Sequence, residues 1–276
     1  MNYIVYTFQF TPLVNVRQLD LFEPTLQIRD ELMKRKLEYF EQALIGVKYS
    51  NRDKLYENSV VVHRDGVMVM RLANRKSVVR EKAFHVIKDE DEPSCCVIID
   101  YRKEHQVIAI EDSKRAFEST DTVRNILEHS LNKVLEKSRL KITIKKQTEL
   151  SEFWDYVNQY RGKITEVHFT YQYPNLGRVN EKIKDLLGDA SKTINSTESE
   201  VSFKGKSLEL DENNEDVKEF ALDASKSGNP VKMKIKGING FVKTGETTRN
   251  IEIEELDFDG DPLAFSKLLD SLNNCL

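Results

Sequence analysis

The chain has 276 residues, of which 39% are hydrophobic and 32% are charged, and its formal net charge is −4. This length suits one large domain or two ordinary ones, and the apolar content excludes intrinsic disorder of the whole chain. The negative total excludes a globally basic protein, so any contact with nucleic acid must come from a local patch.

The first strand and the segment after it are predicted from simple composition. Residues 3–10 (YIVYTFQF) are rich in aromatic and β-branched side chains, which favours a strand. Residues 11–24 contain two prolines and predict a loop. Apolar residues then recur near helical spacing, which predicts a helix from about residue 26 to residue 45.

Two hairpins, a helix and a strand follow. Asp65–Gly66 lies between two apolar runs, and Asp-Gly accommodates the positive φ angles of a tight hairpin turn. The runs CCVIIDY (95–101) and HQVIAIE (105–111) predict a second hairpin. Helical periodicity returns over residues 121–137, and RLKITIKK (139–146) predicts a strand with flanking lysines.

The second half mixes helices and strands in another order. Its predicted elements are helices near 150–160, 179–187 and 217–224, strands at 164–173 and near 200–210, a sheet region from 231 to 256, and a last amphipathic helix. Strands clustered in hairpins with helices between them predict an α+β fold. We place two mixed domains at 1–147 and 148–276.

The sequence also indicates a compartment. No apolar run approaches the length of a membrane span, and the opening MNYIVYTFQF lacks the basic start and the cleavage site of a signal peptide. The cysteines are Cys95, Cys96 and Cys275, and an adjacent pair inside an apolar strand is typical of buried thiols. We expect a cytoplasmic protein with no membrane insertion, metal or cofactor.

No complete catalytic constellation is visible. The five histidines are scattered singly, and phosphate-binding loops, dinucleotide fingerprints and nucleophile elbows are missing from the sequence. A metal-dependent nuclease would need two carboxylates near adjacent strand ends, for which Asp100 and Glu111 are the candidates. In an antiparallel hairpin these two residues lie at opposite ends, so we predict no catalytic residues. A nuclease or ribonuclease toxin remains an alternative function, and a non-enzymatic adaptor is another.

Lysines alternate with apolar residues in two predicted strands, RLKITIKK and VKMKIKG (231–237). Such alternation places the lysines on the water side, where a row of cations can track a phosphate backbone. Alternatively, lysines protect edge strands from unwanted pairing. Acidic residues cluster elsewhere, which favours a local basic face. The candidate nucleic-acid-binding residues are Lys141, Lys145, Lys146, Lys232, Lys234, Lys236, Lys243 and Arg249.

The loop before the first helix contains the pentapeptide QLDLF, which consists of Gln18, Leu19, Asp20, Leu21 and Phe22. It resembles, position for position, the peptide by which bacterial DNA polymerases and mismatch-repair proteins dock on the sliding clamp. The resemblance implies that Leu21 and Phe22 are apolar anchors for a clamp pocket. The alternative, which we favour, is that these side chains pack under the following helix.

The order of elements resembles that of phage-exclusion (abortive-infection) proteins such as RexA of phage lambda and KwaB of the Kiwa defence system. The segments that carry this resemblance are YENSVVVHRDGVMVMRL, PSCCVIIDYRKEHQVIAIE, FESTDTVRNILEHSL and KITEVHFTYQYPNLGRVNEKIKDLLGDA. It implies a DNA-binding defence protein that forms homodimers, has no compact catalytic motif, and works with a second subunit of its system. It assigns no individual residue a role.

Overall fold

The computed structural model describes residues 1–13, 25–103, 105–172, 187, 196, 198–254, 257–258 and 261–275. Gln18 to Phe22, and the helix predicted near 179–187 except for its last residue, therefore lie outside the described residues. The described part combines antiparallel strand pairs with helices, which confirms the predicted α+β class.

Six α-helices occur in the described ranges: α1 (Thr25–Lys34), α2 (Lys36–Gly46), α3 (Thr120–Leu135), α4 (Leu150–Gln159), α5 (Glu215–Lys226) and α6 (Ala264–Cys275). The strands are β1 (Asn2–Pro12), β2 (Ser50–Asn51), β3 (Lys54–Leu55), β4 (Asn58–Arg64), β5 (Val67–Ala73), β6 (Lys76–Lys82), β7 (His85–Asp91), β8 (Ser94–Asp100), β9 (Val107–Glu111), β10 (Leu140–Lys146), β11 (Ile164–Gln172), β12 (Glu198–Lys204), β13 (Lys232–Ile235), β14 (Val242–Lys243) and β15 (Asn250–Glu252). The single helix predicted for 26–45 is thus two helices, α1 and α2.

The chain forms two compact units, and both are discontinuous in sequence. Unit 1 consists of Met1–Ile4, Leu37–Ser138 and Asn250–Leu276, and unit 2 consists of Val5–Lys36 and Arg139–Arg249. The division predicted at residue 147 is continuous, and it assigns the terminal helix to the second half. The difference arises at β1, because its first residues pair with β15 whereas residues 6–12 pair with β10.

Unit 1 contains a sheet in the order β9-β8-β5-β4. Strand β1, of which only the residues up to Ile4 belong to this unit, lies beside β9, and β15 pairs with the start of β1. The β4–β5 hairpin turns at Asp65 and Gly66, whose φ angles are 52° and 77°. The predicted tight turn is therefore confirmed. Cys95 and Cys96 lie on β8 as free thiols; Cys95 is buried, as predicted, whereas Cys96 is only half-buried. Helix α3 lies against β9 and β2, and Ser119, which caps its N-terminus, accepts the Thr122 N–H with its side chain.

Unit 1 also contains a separate two-stranded sheet, which we call the ribbon, formed by β6 and β7. Two ion pairs connect the base of the ribbon to the rest of unit 1. Arg75 pairs with Glu90, and the Arg115 guanidinium lies 3.3 Å from Asp91. Beyond this base, the described side chains from Val79 to Asp89 are exposed.

Unit 2 contains a four-stranded sheet in the order β12-β11-β13-β14. One face of this sheet carries Val167, Phe169 and Met233, which are buried against residues of α4 and α5. Since side chains alternate along a strand, the opposite face of β11 and β13 carries the polar residues. No helix among the residues described in either unit is long and apolar enough to cross a membrane.

Candidate nucleic-acid interface

The polar face of the unit 2 sheet is organised in rows that run across the strands. In the first row, Ser202 of β12 lies opposite His168, His168 lies opposite Lys232, and Lys232 lies opposite Lys243. In the next row, Glu166 lies between Lys204 of β12 and Lys234 of β13. We call this surface the lysine face. It brings together the predicted residues Lys232, Lys234 and Lys243, and the exposed Lys236 follows directly after β13.

His168 is the centre of the hydrogen bonding on the lysine face. Its Nδ1 lies 2.7 Å from Oε1 of Glu200, and its Nε2 lies 3.3 Å from Oε2 of Glu166. These hydrogen bonds are the largest cause of a lowered pKa for both carboxyl groups, and nearby lysines lower the two pKa values further. Both glutamates are therefore anionic at neutral pH.

The two glutamates also bind the neighbouring lysines. Lys232 Nζ lies 3.1 Å from Glu200, whereas Lys204 Nζ and Lys234 Nζ lie 3.4 and 3.9 Å from Glu166. Within the described part of the chain, Lys243 forms no ion pair. The lysine face and its margin carry five lysines against three glutamates, the third being Glu198. It therefore keeps a local excess of positive charge despite the negative total of the chain.

An aromatic side chain lies beside these lysines. Phe241 is 44% exposed, and its ring centroid lies 5.0 Å from that of His168 at an interplanar angle of 85°. Lys234 Nζ lies 6.0 Å from the same ring, within cation–π range. Sequence reasoning missed Phe241, although the alternation of Phe241, Val242 and Lys243 places it on the same face as Lys243.

The other predicted basic residues belong to unit 2 but not to this sheet. Lys141, Lys145 and Lys146 lie on β10, which pairs with β1. Lys145 Nζ donates to Asn229 at 2.8 Å, and Lys146 Nζ lies 6.0 Å from the centroid of a tyrosine ring. Arg249 donates to the Gln147 side chain at 3.3 Å. These contacts give three of the four a role within the fold, whereas Lys141 is exposed.

The carboxylates considered for a nuclease lie apart, as predicted. Asp100 lies opposite Val107 next to the β8–β9 turn, whereas Glu111 lies at the far end of β9, where it accepts from the Cys96 N–H at 2.7 Å. Asp100 is fully buried and accepts three hydrogen bonds from Arg102. Across the described ranges, no three His, Cys, Asp or Glu side chains are placed to hold a metal ion.

Sequence reasoning also does not identify Lys204, Glu166, His168 and Glu200 as parts of one surface. Alternation in ITEVHFTYQY indicates that Glu166 and His168 share a face, but the lateral order of the strands decides what lies beside them. No protein-family model, curated protein or solved structure matches this chain.

Proposed function

We propose that the protein binds nucleic acid, with DNA as the expected substrate, through the lysine face of unit 2. The observation that carries this proposal is the exposed Phe241 ring beside the lysines of β13 and β14. Positive side chains that follow a backbone, combined with an aromatic ring on which a base can stack, are the usual elements of sequence-tolerant binding.

The arrangement supports binding by charge rather than by sequence. The lysines stand on strands of an open sheet, and a flat row of ammonium groups contacts phosphates without reading base edges. Glu166 and Glu200 compete with phosphate for Lys232 and Lys234, so binding should be of moderate affinity and strongly weakened by salt.

The biological setting follows from the family resemblance. On that basis we propose an accessory role in anti-phage defence or abortive infection, in which DNA binding is coupled to a second subunit of the defence system. The resemblance of Gln18 to Phe22 offers the sliding clamp as a further partner, in competition with the packing of these side chains under the helix, which we favour. A nuclease activity receives no support from Asp100 and Glu111, which occupy opposite ends of their hairpin.

The test is charge reversal of the lysine face. Replacing Lys232, Lys234 and Lys236 with Glu should weaken binding to every duplex and single strand alike. It should also lower the dependence of log K on log salt, by roughly 0.9 for each duplex phosphate that the variant no longer neutralises. Phe241→Ala should reduce binding to single strands by about 1–3 kcal/mol, because bases can no longer stack on the ring.

The matched control reverses three exposed lysines of unit 1, namely Lys48, Lys103 and Lys137. This control changes the net charge by the same amount, so a general electrostatic effect would weaken both triple variants equally. Fluorescence anisotropy at several salt concentrations measures the nucleic-acid affinity of both triple variants. Unchanged affinity in a folded lysine-face variant, or equal losses in the two triple variants, would remove this surface as the binding site.

A further inference from the structure

The tip of the ribbon presents an aromatic ring to solvent. Ala83 and Phe84 form the two-residue turn between β6 and β7, and Phe84 is 95% exposed. The φ angles of these two residues are 50° and 63°, a conformation that a Cβ atom disfavours. Turns of this kind prefer Asn-Gly or Asp-Gly, as in the Asp65–Gly66 turn of the same unit. A bulky residue held in a disfavoured conformation indicates a role for its side chain.

Charge is distributed unevenly along the length of the ribbon. The tip half, residues 79–88, contains three lysine or arginine residues and one glutamate, besides one histidine. The base, residues 75–78 and 89–92, contains two cationic and four anionic residues. Ion pairs with arginines of unit 1 hold three of these four carboxylates at the base. The end that carries Phe84 therefore has an excess of positive charge and attracts anions.

The strand register divides the tip half into two unlike faces. Lys82 lies opposite His85, and Arg80 lies opposite Ile87. Since successive residues of a strand belong to opposite faces, these four residues share one face, which we call the basic face. Glu81, the acidic residue of the tip half, belongs to the other face. The excess of positive charge at the tip is thus concentrated on one side of the ribbon, next to the Phe84 turn.

A basic face beside a protruding ring is complementary to a nucleic-acid duplex. Two-stranded ribbons enter the grooves of DNA, cations along them contact the phosphates, and phenylalanine is one of the side chains that insert between base pairs. A lipid surface fits the tip less well, because membrane affinity grows with the apolar area that is buried. Val79 and Val86 share their face with Glu81, so insertion of that face would carry the carboxylate into the lipid.

We propose that the ribbon tip is a second DNA contact, which lies in the minor groove of a duplex with the basic face toward the phosphates and Phe84 inserted between base pairs as a wedge. This inference rests on the proposed nucleic-acid function. The wedge adds a property that the lysine face does not have. Insertion unstacks a base step, and this is easiest at mismatches and at flexible pyrimidine–purine steps. The tip therefore gives the protein a preference for weakly stacked sites in DNA.

The first experiment separates the wedge from the lysine face. Fluorescence anisotropy measures affinity for a fully paired duplex and for the same duplex with one central mismatch. The wild type should prefer the mismatched duplex by about tenfold, because the mismatch lowers the free energy needed for unstacking. Ala83→Asn with Phe84→Gly installs a preferred turn sequence but removes the ring, so the two affinities should become nearly equal. Charge reversal of Lys232, Lys234 and Lys236 should weaken both affinities and keep their ratio.

The second experiment measures DNA bending, which is a readout independent of affinity. Wedge insertion kinks a duplex by roughly 20–90°, so energy transfer between dyes at the two duplex ends should rise when the wild type binds. Phe84→Leu keeps an apolar wedge and should retain most of this rise, whereas the Asn-Gly variant should lose it. The matched control is Leu55→Ala, which shortens another apolar side chain of unit 1 that is 72% exposed. It should change neither the bend nor the mismatch preference.

The outcomes separate this inference from the proposed function on which it rests. A wild type whose affinity depends on the lysine face, but which neither bends the duplex nor prefers the mismatch, would overturn the wedge and leave the proposed function intact. A wild type that binds no nucleic acid would overturn both. A mismatch preference that survives in the Asn-Gly variant would also overturn the wedge. So would Phe84-dependent binding to phosphatidylglycerol vesicles without any effect of Phe84 on duplex binding, which would make the tip a membrane contact instead.

Discussion

Glu152 on helix α4 holds the loop that follows β14. Its Oε1 accepts the N–H groups of Gly245 and Glu246 at 3.0 and 3.1 Å, and its Oε2 accepts that of Thr247 at 3.0 Å. The residue is 7% exposed. One carboxylate thus satisfies three successive backbone donors, and we predict that its removal destabilises unit 2.

The expected magnitude follows from these three bonds. Glu152→Gln keeps an oxygen for two of the donors but turns an amide NH₂ toward the Thr247 N–H, so it should cost about 1.5–3 kcal/mol. Glu152→Ala removes all three bonds. Because the three loop residues are themselves exposed, water satisfies part of the freed N–H groups, and we expect a loss of about 2–4 kcal/mol.

Trp154 makes the measurement specific to unit 2, because it is the only tryptophan of the chain and belongs to the core of that unit. Urea unfolding followed by tryptophan fluorescence therefore reports this unit. The matched control is Glu149→Gln, since the Glu149 side chain makes no capping hydrogen bond at the start of the same helix. It should change stability by under about 0.5 kcal/mol. Equal losses for Glu152→Gln and Glu149→Gln would refute the reasoning.

Three further predictions concern other parts of the chain. Gly228→Ala should cost more than Gly162→Ala in urea unfolding, because both residues have positive φ but only at Gly228 would the new Cβ strike a backbone carbonyl oxygen; the left-handed conformation alone costs about 1–2 kcal/mol, and equal losses would contradict this. His168→Ala should raise the lowered pKa values of its two glutamate partners, measured by NMR titration. Since a carboxyl with a lowered pKa contributes stability that is lost as pH falls through that value, the wild type should lose more stability in acid than the variant. Leu21→Ala with Phe22→Ala should abolish capture by the sliding clamp at little cost in stability if the peptide docks, whereas packed side chains would cost roughly 2–5 kcal/mol each; a large fall in melting temperature, with no clamp captured by the wild type, would exclude docking.

Local chemistry was sufficient to predict several elements. Asp65–Gly66 predicts its hairpin because the turn needs positive φ at both residues. The alternation in VKMKIKG predicts that Lys232 and Lys234 share a face, because the strand period is two. By contrast, the ribbon was not predicted. Its turn residues, Ala83 and Phe84, carry none of the composition that marks a turn, so β6 and β7 had no sequence boundary between them.

Contacts between neighbouring strands could not be predicted from local sequence patterns. Glu200 and Lys232 are 32 residues apart in the chain, yet their side chains form an ion pair across the sheet. Strand order, which depends on how the whole chain packs, decides such contacts. The same limit explains the domain division, because the pairing of β1 with both β10 and β15 joins residues more than 100 positions apart.

The interleaved composition of the two units constrains how the chain can fold during synthesis. All residues of unit 2 have been made once the ribosome has passed residue 249, whereas unit 1 still lacks β15 and α6 at that point. The unit to which Met1 belongs is therefore the later one to be completed. Until residues 250–276 emerge, Tyr3, whose partner strand is β15, lacks its neighbour on that side, and the nascent chain exposes apolar surface that favours aggregation. A chaperone that holds the nascent chain over this interval should raise the yield of native protein. A truncated protein that ends at residue 249 should be insoluble.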